Sequence, residues 1–191
     1  MDDLIGNLNY MWVPDSFLLF QLDLLMSNIN LSVDAVVFAY EESELYILLI
    51  QRKNEPFKNK WALPGGFVEV DETVEEASKR ELEEETGLSL DRLEQLHTFS
   101  AVHRDPRKRV ISVAHYILIK KAEQKVKAGD DAADAEWFPM HDLPELAFDH
   151  DQIVRTAIEK LGQKLKNKLV DLADFSGMEL EEVRNILKET K

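Results

Sequence analysis

Residues 66–88 read GFVEVDETVEEASKRELEEETGL, and the fold turns on how that stretch is parsed. Thr73 stands three residues before Glu76, the spacing at which a hydroxyl and a carboxylate cap each other's backbone amides at a helix start. Gly87 supplies the left-handed residue on which helices commonly end. A helix is therefore predicted over 74–86. At about 100° per residue, Glu84 falls about 60° to one side of Glu81 and Glu85 about 40° to the other. Three carboxylates thus share one arc, while Glu83 points away. Like charges at these spacings cost about 0.2–0.5 kcal/mol per pair on an exposed helix. Arg80 offsets part of that, and Glu72, eight residues earlier, is placed to pair with it. One guanidinium does not neutralise three close carboxylates. A divalent cation would, and oxygen ligands favour Mg²⁺ or Mn²⁺ over Zn²⁺. The Pro64-Gly65-Gly66 turn can add a backbone carbonyl.

Outward from this helix, residues 33–40 (VDAVVFAY) and 45–52 (LYILLIQR) read as strands joined by the turn EESE, an antiparallel hairpin. Residues 54–60 form a polar loop, followed by a short strand that Pro64 and its glycines interrupt. Strands are expected near 95–102, over 110–120 and around 136–138, the last reached through a loop at 127–133. Asp149 is placed to cap a helix in which Ile153, Val154, Ala157, Ile158 and Leu161 recur at helical spacing. Strands before and after a central helix, with another helix near the end, predict an α/β (α+β) chain: a mixed sheet between helices, an α/β/α sandwich. Residues 1–30 read as an N-terminal extension, 31–161 as the domain and 162–191 as a helical tail. Within the extension, Asp15 and Ser16 can cap a short helix over 17–26 (FLLFQLDLLM), too apolar to stay in water and so expected on the body or on a second subunit.

The 191 residues carry a formal net charge of −14, which argues against a broad nucleic-acid or anionic-membrane surface. The absence of cysteine excludes a disulfide framework, a cysteine-based zinc site and a thiol nucleophile, and fits a reducing compartment. Residues 17–26 are too short to span a bilayer, and the acidic N-terminus does not look like a secretory signal, so a cytoplasmic location is expected.

The spacing Gly66, five residues, Glu72, seven residues, Arg80-Glu81-Leu82, one residue, Glu84-Glu85, one residue, Gly87-Leu88 matches the Nudix signature in full. A pattern of this length carries far less false-positive risk than a lone glycine motif. The chain resembles the Nudix hydrolases over roughly 31–161. The resemblance implies a Nudix-like sandwich and hydrolysis of a nucleoside diphosphate linked to another group. It implies Glu81, Glu84, Glu85 and the Gly65 carbonyl as ligands of Mg²⁺ or Mn²⁺, with Arg80, paired to Glu72, orienting the glutamates. One of the three glutamates, or an acid among Asp130, Asp131, Asp134 and Glu136, would accept the attacking water's proton.

Beyond the signature, the segments VDAVVFAY, HRDPRKRVISVAHY, DDAADAEWFPMHDLP and AFDHDQI resemble a bacterial ADP-ribose pyrophosphatase group related to Nudix transcriptional regulators. The implied reaction is ADP-ribose plus water giving AMP and ribose 5-phosphate, by a protein whose relatives often pair as dimers. Arg52, Arg104, Arg107 and Arg109 are candidate substrate contacts, since arginine suits bidentate phosphate binding. Phe57 and Trp61 are candidate stacking partners for adenine, His103 a candidate contact, and Trp137 and Phe138 read as core. Modified nucleoside triphosphates or dinucleotides are alternative substrates. A ligand-sensing regulator is the alternative of another class. Residues 172–187 have a helix-turn-helix-like spacing, yet Glu179, Glu181 and Glu182 on the second helix would repel a phosphate backbone.

Overall fold

The computed structural model describes residues 29–121, 126, 132–167 and 175–189. The expected helix over 17–26, and Asp130 and Asp131, lie outside them. Its elements are β1 (Asn30–Glu41), β2 (Glu44–Arg52), β3 (Trp61–Ala62), α1 (Val74–Thr86), β4 (Glu94–Phe99), β5 (Val110–Lys120), β6 (Ala132–Pro139), α2 (His150–Lys166) and α3 (Gly177–Glu189).

The first two strands form the expected antiparallel hairpin, closed by Glu42 and Ser43, both with positive φ (49° and 63°). Two consecutive left-handed residues match the twist of the flanking strands. The sheet runs β3-β2-β1-β5-β4, with β6 also on β2. β1 lies parallel to β5 from Asn30 opposite Val110 to Tyr40 opposite Lys120; the other pairings are antiparallel. Because β6 pairs along one edge of β2, β1 and β3 share the other edge, one at each end. The strand expected around 136–138 begins at Ala132, so Ala132 and Ala133 belong to β6 and not to the preceding loop. Pairing of Ala132 with Arg52 extends it.

Strand alternation divides the core into two layers. Val36, Phe38, Tyr40, Leu45, Ile47, Leu49, Ala114, Tyr116 and Leu118 face α2 and α3, whose Ile153, Val154, Ala157, Ile158, Leu161, Val183 and Leu187 are buried against them. Ala35, Val37 and Leu48 face the other way, toward Leu82 of α1, with Leu88 and Leu93. The result is a mixed sheet with helices on both faces, as the element order predicts.

Two details differ from expectation. Asp149 does stand at the start of α2, but its side chain makes no capping hydrogen bond and goes instead to Arg104. In addition, α2 continues past Leu161 to Lys166, and α3 is tied to the sheet: Lys120 donates to Glu179, and Tyr40 and Ser43 donate to Glu182. Among the described residues no helix is long and apolar enough to cross a membrane.

Candidate active site

The site forms where the 63–66 turn passes between β1 and α1. α1 begins with the expected capping box, Thr73 and Glu76 each accepting the other's amide. It ends at Gly87 with φ 68°. Its buried face carries Ala77, Ser78, Leu82, Glu85 and Thr86, so Glu85 is drawn under the helix by the same periodicity that buries Leu82.

The turn is laid onto β1 by two amides: Ala35 donates to the Pro64 carbonyl (2.8 Å) and Val33 to the Gly66 carbonyl (2.9 Å). Alternate residues of an extended backbone present their polar groups to opposite edges. Between Pro64 and Gly66 the Gly65 N–H is not used on β1 and donates instead to Glu85 Oε2 (2.9 Å). Among the described residues no hydrogen bond reaches the Gly65 carbonyl. Close approach acts on both glycines, on the backbone at Gly65 and on a side-chain end at Gly66. A Cβ at Gly65 would overlap the Val33 carbonyl oxygen, and one at Gly66 would overlap the Glu81 carboxylate.

Arg80 organises the acids. It grips Glu72 with two donors (Nε 2.9 Å, Nη2 2.6 Å), reaches Glu81 (2.9 Å) and Glu84 (3.1 Å) through Nη1, and donates to the Phe67 carbonyl (3.1 Å). Glu72 is held down at about 2 by Arg80 and by the Glu69 amide. Glu81 is raised, mainly by burial, against the pull of Arg80. Glu85 is pushed up to about 8, first by burial and also by the charges of Glu81 and Asp34, with the Gly65 amide and Arg52 opposing. Among the described residues this carboxyl forms no ion pair.

The three glutamates share the predicted helix arc, but among the described residues no three acids converge into a preformed cage. Glu81 and the exposed Glu84 lean to Arg80, while Glu85 turns under to Gly65. The donor set nonetheless fits a hard divalent cation: carboxylate oxygens, an unbonded carbonyl beside them, and a buried carboxyl that is in no ion pair among the described residues.

The cleft beside these groups, about 70 Å³, is lined by Asp34, Arg52, Gly65, Gly66, Phe67, Arg104, Asp105, Arg107, Phe148 and His150, among others. Among the described residues the Arg52 side chain donates only to backbone carbonyls, Pro56 (2.9 Å) and Asn54 (3.4 Å). Its guanidinium lies 4.8 Å from the Phe148 ring centre. Burial and the nearby Arg107 lower its affinity for the proton. Arg107 is paired with Asp105 (2.7 Å) and lies 5.7 Å from the same ring. Phe57 meets Phe148 edge-on, with centroids 4.8 Å apart.

Other expected contacts are engaged by the protein itself or lie outside the cleft. The Arg104 side chain is 5% exposed and locked between Asp149 (2.7 Å) and Asp34 (3.4 Å), which leaves little of it for a ligand. Arg109 donates to the carbonyls of Ala101 and Val110 and does not line the cleft. Trp61, partly buried, meets Phe138 edge-on against the core and is not among the residues lining the cleft. His103 lies exposed outside the cleft lining. Asp134 and Glu136 sit exposed on β6, which pairs with β2.

Asp34, Asp105, Phe148 and His150 were missed. A charge inside the apolar run VDAVVFAY was the available signal for Asp34, since a buried acid needs a reason. Phe148, with φ 55°, carried none.

Comparison with known proteins agrees with this geometry. The NUDIX domain model matches residues 29–160. An ADP-ribose pyrophosphatase from Methanocaldococcus jannaschii is 49% identical over 124 residues, 65% of this chain and 70% of that one. The ADPR responsive transcriptional repressor NtrR of Acinetobacter baylyi is 34% identical over 142 residues, 71% of this chain but only 56% of the repressor. Among solved structures, the NUDIX domain of Shewanella oneidensis NrtR complexed with ADP ribose superposes with a TM-score of 0.68 at 34% identity, covering 78% of this chain and 99% of that domain. A family model matched over most of the chain, together with the complete glutamate signature and the Arg80-centred site it builds, places this chain in the NUDIX family.

Proposed function

We propose that the chain is a Nudix pyrophosphohydrolase that cleaves ADP-ribose to AMP and ribose 5-phosphate, with Mg²⁺ or Mn²⁺ held by Glu81, Glu84, Glu85 and the Gly65 carbonyl. The observation that carries this reading is a single cleft lined both by Gly65, whose amide meets the buried Glu85, and by Arg52, whose guanidinium has no carboxylate partner among the described residues. When bound, hard divalent ions supply charge neutralisation at the phosphates and acidify an attacking water. The chain's own residues do the positioning. Arg80, clamped by Glu72, holds Glu81 and Glu84 in place. Arg52 and Arg107 offer donors to the linked phosphates, and Phe57 and Phe148 offer apolar faces to the base or sugar. One of the three glutamates takes the proton as water attacks phosphorus. The similarity to an ADP-ribose pyrophosphatase and to an ADP-ribose-bound NUDIX domain supports ADP-ribose over modified nucleoside triphosphates or dinucleotides.

The test is a substrate panel of ADP-ribose, NADH, dinucleoside polyphosphates and oxidised dGTP, compared by kcat/KM with Mg²⁺ and with chelator. ADP-ribose is expected to lead, with no turnover in chelator. A preference for another substrate refutes the assignment, and metal-free turnover refutes the chemistry. The regulator alternative is disfavoured because Glu179 and Glu182 of α3 are engaged by Lys120, Tyr40 and Ser43 of the domain. Sequence-specific gel shifts would reverse that ranking. The proposal further places the protein in the cytoplasm and as a homodimer joined through residues 17–26. Light scattering before and after deletion of residues 1–28 tests the dimer.

A further inference from the structure

His150 sits at the first turn of α2, 5% exposed, with both ring nitrogens assigned by their neighbours. The Leu63 N–H points at Nδ1 from 2.9 Å. A backbone amide can only donate, so Nδ1 carries a lone pair and the ring proton is on Nε2. Nε2 lies 3.4 Å from Asp34 Oδ1. The other oxygen of Asp34 accepts from Ser112 and faces Arg104 Nη2 at 3.4 Å. Arg104 in turn holds Asp149, the residue before His150. The ring also lies 5.4 Å from that of Phe148, tilted by 31°.

What this arrangement grips is the turn itself. Leu63 opens the segment whose Gly65 amide meets Glu85. Asp34 is the residue between the two amides, of Val33 and Ala35, that tie Gly66 and Pro64 to β1. The segment is therefore held both by the backbone of β1 and by an imidazole whose other nitrogen lies 3.4 Å from a β1 carboxylate. We propose that His150, oriented by Asp34, is a positioning residue that fixes the 63–66 turn and with it the Gly65 carbonyl and the Glu85 carboxyl for metal binding. The inference rests on the metal-dependent reading above, and it assigns His150 no contact with substrate.

The experiment compares full-length wild type, His150→Phe, His150→Asn and Asp34→Asn by Mn²⁺ titration followed by electron paramagnetic resonance, and by kcat and KM for ADP-ribose. Phenylalanine fills the space without an acceptor; the asparagine side-chain oxygen can still receive the Leu63 amide. Removing an outer support of a metal site commonly costs about 10–100-fold in affinity or activity. His150→Phe is expected to lose Mn²⁺ affinity in that range and to lower kcat, with KM at saturating metal within about threefold. His150→Asn should recover most of the loss, and Asp34→Asn should fall between. If His150→Phe does not fold, the comparison of His150→Asn and Asp34→Asn with wild type carries the test. Wild-type Mn²⁺ affinity in His150→Phe, or in Asp34→Asn, overturns the proposal, as does a His150→Asn protein as impaired as His150→Phe. A wild type that binds no Mn²⁺ overturns instead the metal-dependent reading on which the proposal stands.

Discussion

Replacing Glu85 by glutamine tests the electrostatics of the site apart from its catalysis. Glu85 is 9% exposed and, without metal, its carboxyl is pushed up to about 8 from an ordinary 4.5. Between those two values the unfolded chain has released this proton and the folded chain still holds it, so stability falls as pH rises through that window. At 1.36 kcal/mol per decade, the loss is under about 1 kcal/mol at pH 5 and about 3 kcal/mol at pH 7. Glutamine carries no such proton, and its carbonyl can still accept the Gly65 amide. In chelator, Glu85→Gln should therefore match wild type at pH 5 and exceed it by a margin that widens by about 2–3 kcal/mol by pH 7. Urea unfolding at each pH measures this. Saturating Mg²⁺ or Mn²⁺ should close most of that gap at pH 7, since metal at 100 times its dissociation constant adds about 2.7 kcal/mol to the protein that binds it. A stability difference that does not change between pH 5 and pH 7 would refute the burial argument, and equal stabilisation of both proteins by metal would refute the ligand assignment.

Other perturbations separate architecture from chemistry. Gly65→Ala should destabilise strongly, by about 2 kcal/mol or more, because the added carbon meets backbone that is itself hydrogen-bonded, whereas Gly66→Ala should melt close to wild type. The carbon at Gly66 meets only the end of the Glu81 side chain, so that variant is expected to lose about 100-fold or more in kcat; thermal melting and steady-state kinetics distinguish the two. Arg104→Met leaves the Asp34 and Asp149 carboxylates unpaired and should cost about 3–5 kcal/mol in urea unfolding. Leu187→Ala, 2% exposed on α3, should cost about 2–5 kcal/mol within a single cooperative transition; a separate early transition would show that α3 is not part of the main core.

Elements governed by local rules were legible from residues alone. The bounds of α1 follow from Thr73, Glu76 and Gly87, and the hairpin follows from two β-rich runs about a short turn. The Glu72–Arg80 pair was legible too, because a fixed spacing across one helix start leaves few geometries. Long-range polar pairings were not. Nothing near Arg104 in the chain announces Asp34 or Asp149, which lie 70 and 45 residues away. A loop of four basic residues in six therefore read as a phosphate grip, when only Arg107 keeps its guanidinium in the cleft without being buried among acids. The cap at Asp149 failed for the same reason: a carboxylate offered both a helix amide and a buried guanidinium goes to the charge.

The site has to reconcile a chain of net charge −14 with a doubly anionic substrate, and the structure divides that task between two guanidinium roles. Arg80 is saturated: Glu72, Glu81, Glu84 and a carbonyl use its donors, so it holds the acids apart and has little left for phosphate. Arg52 is the reverse: it packs against Phe148 and lines the cleft, and among the described residues its guanidinium donates to carbonyls alone. A metal ion drawing Glu81 toward Glu85 must compete with Arg80 Nη1, which ties metal occupancy to the position of a side chain anchored by Glu72. Loosening that anchor should thus act on the two halves of the site unequally. It would free Glu81 for the cation while removing the geometry in which Glu84 can join it, whereas Arg52, on a different strand, would keep its place in the cleft.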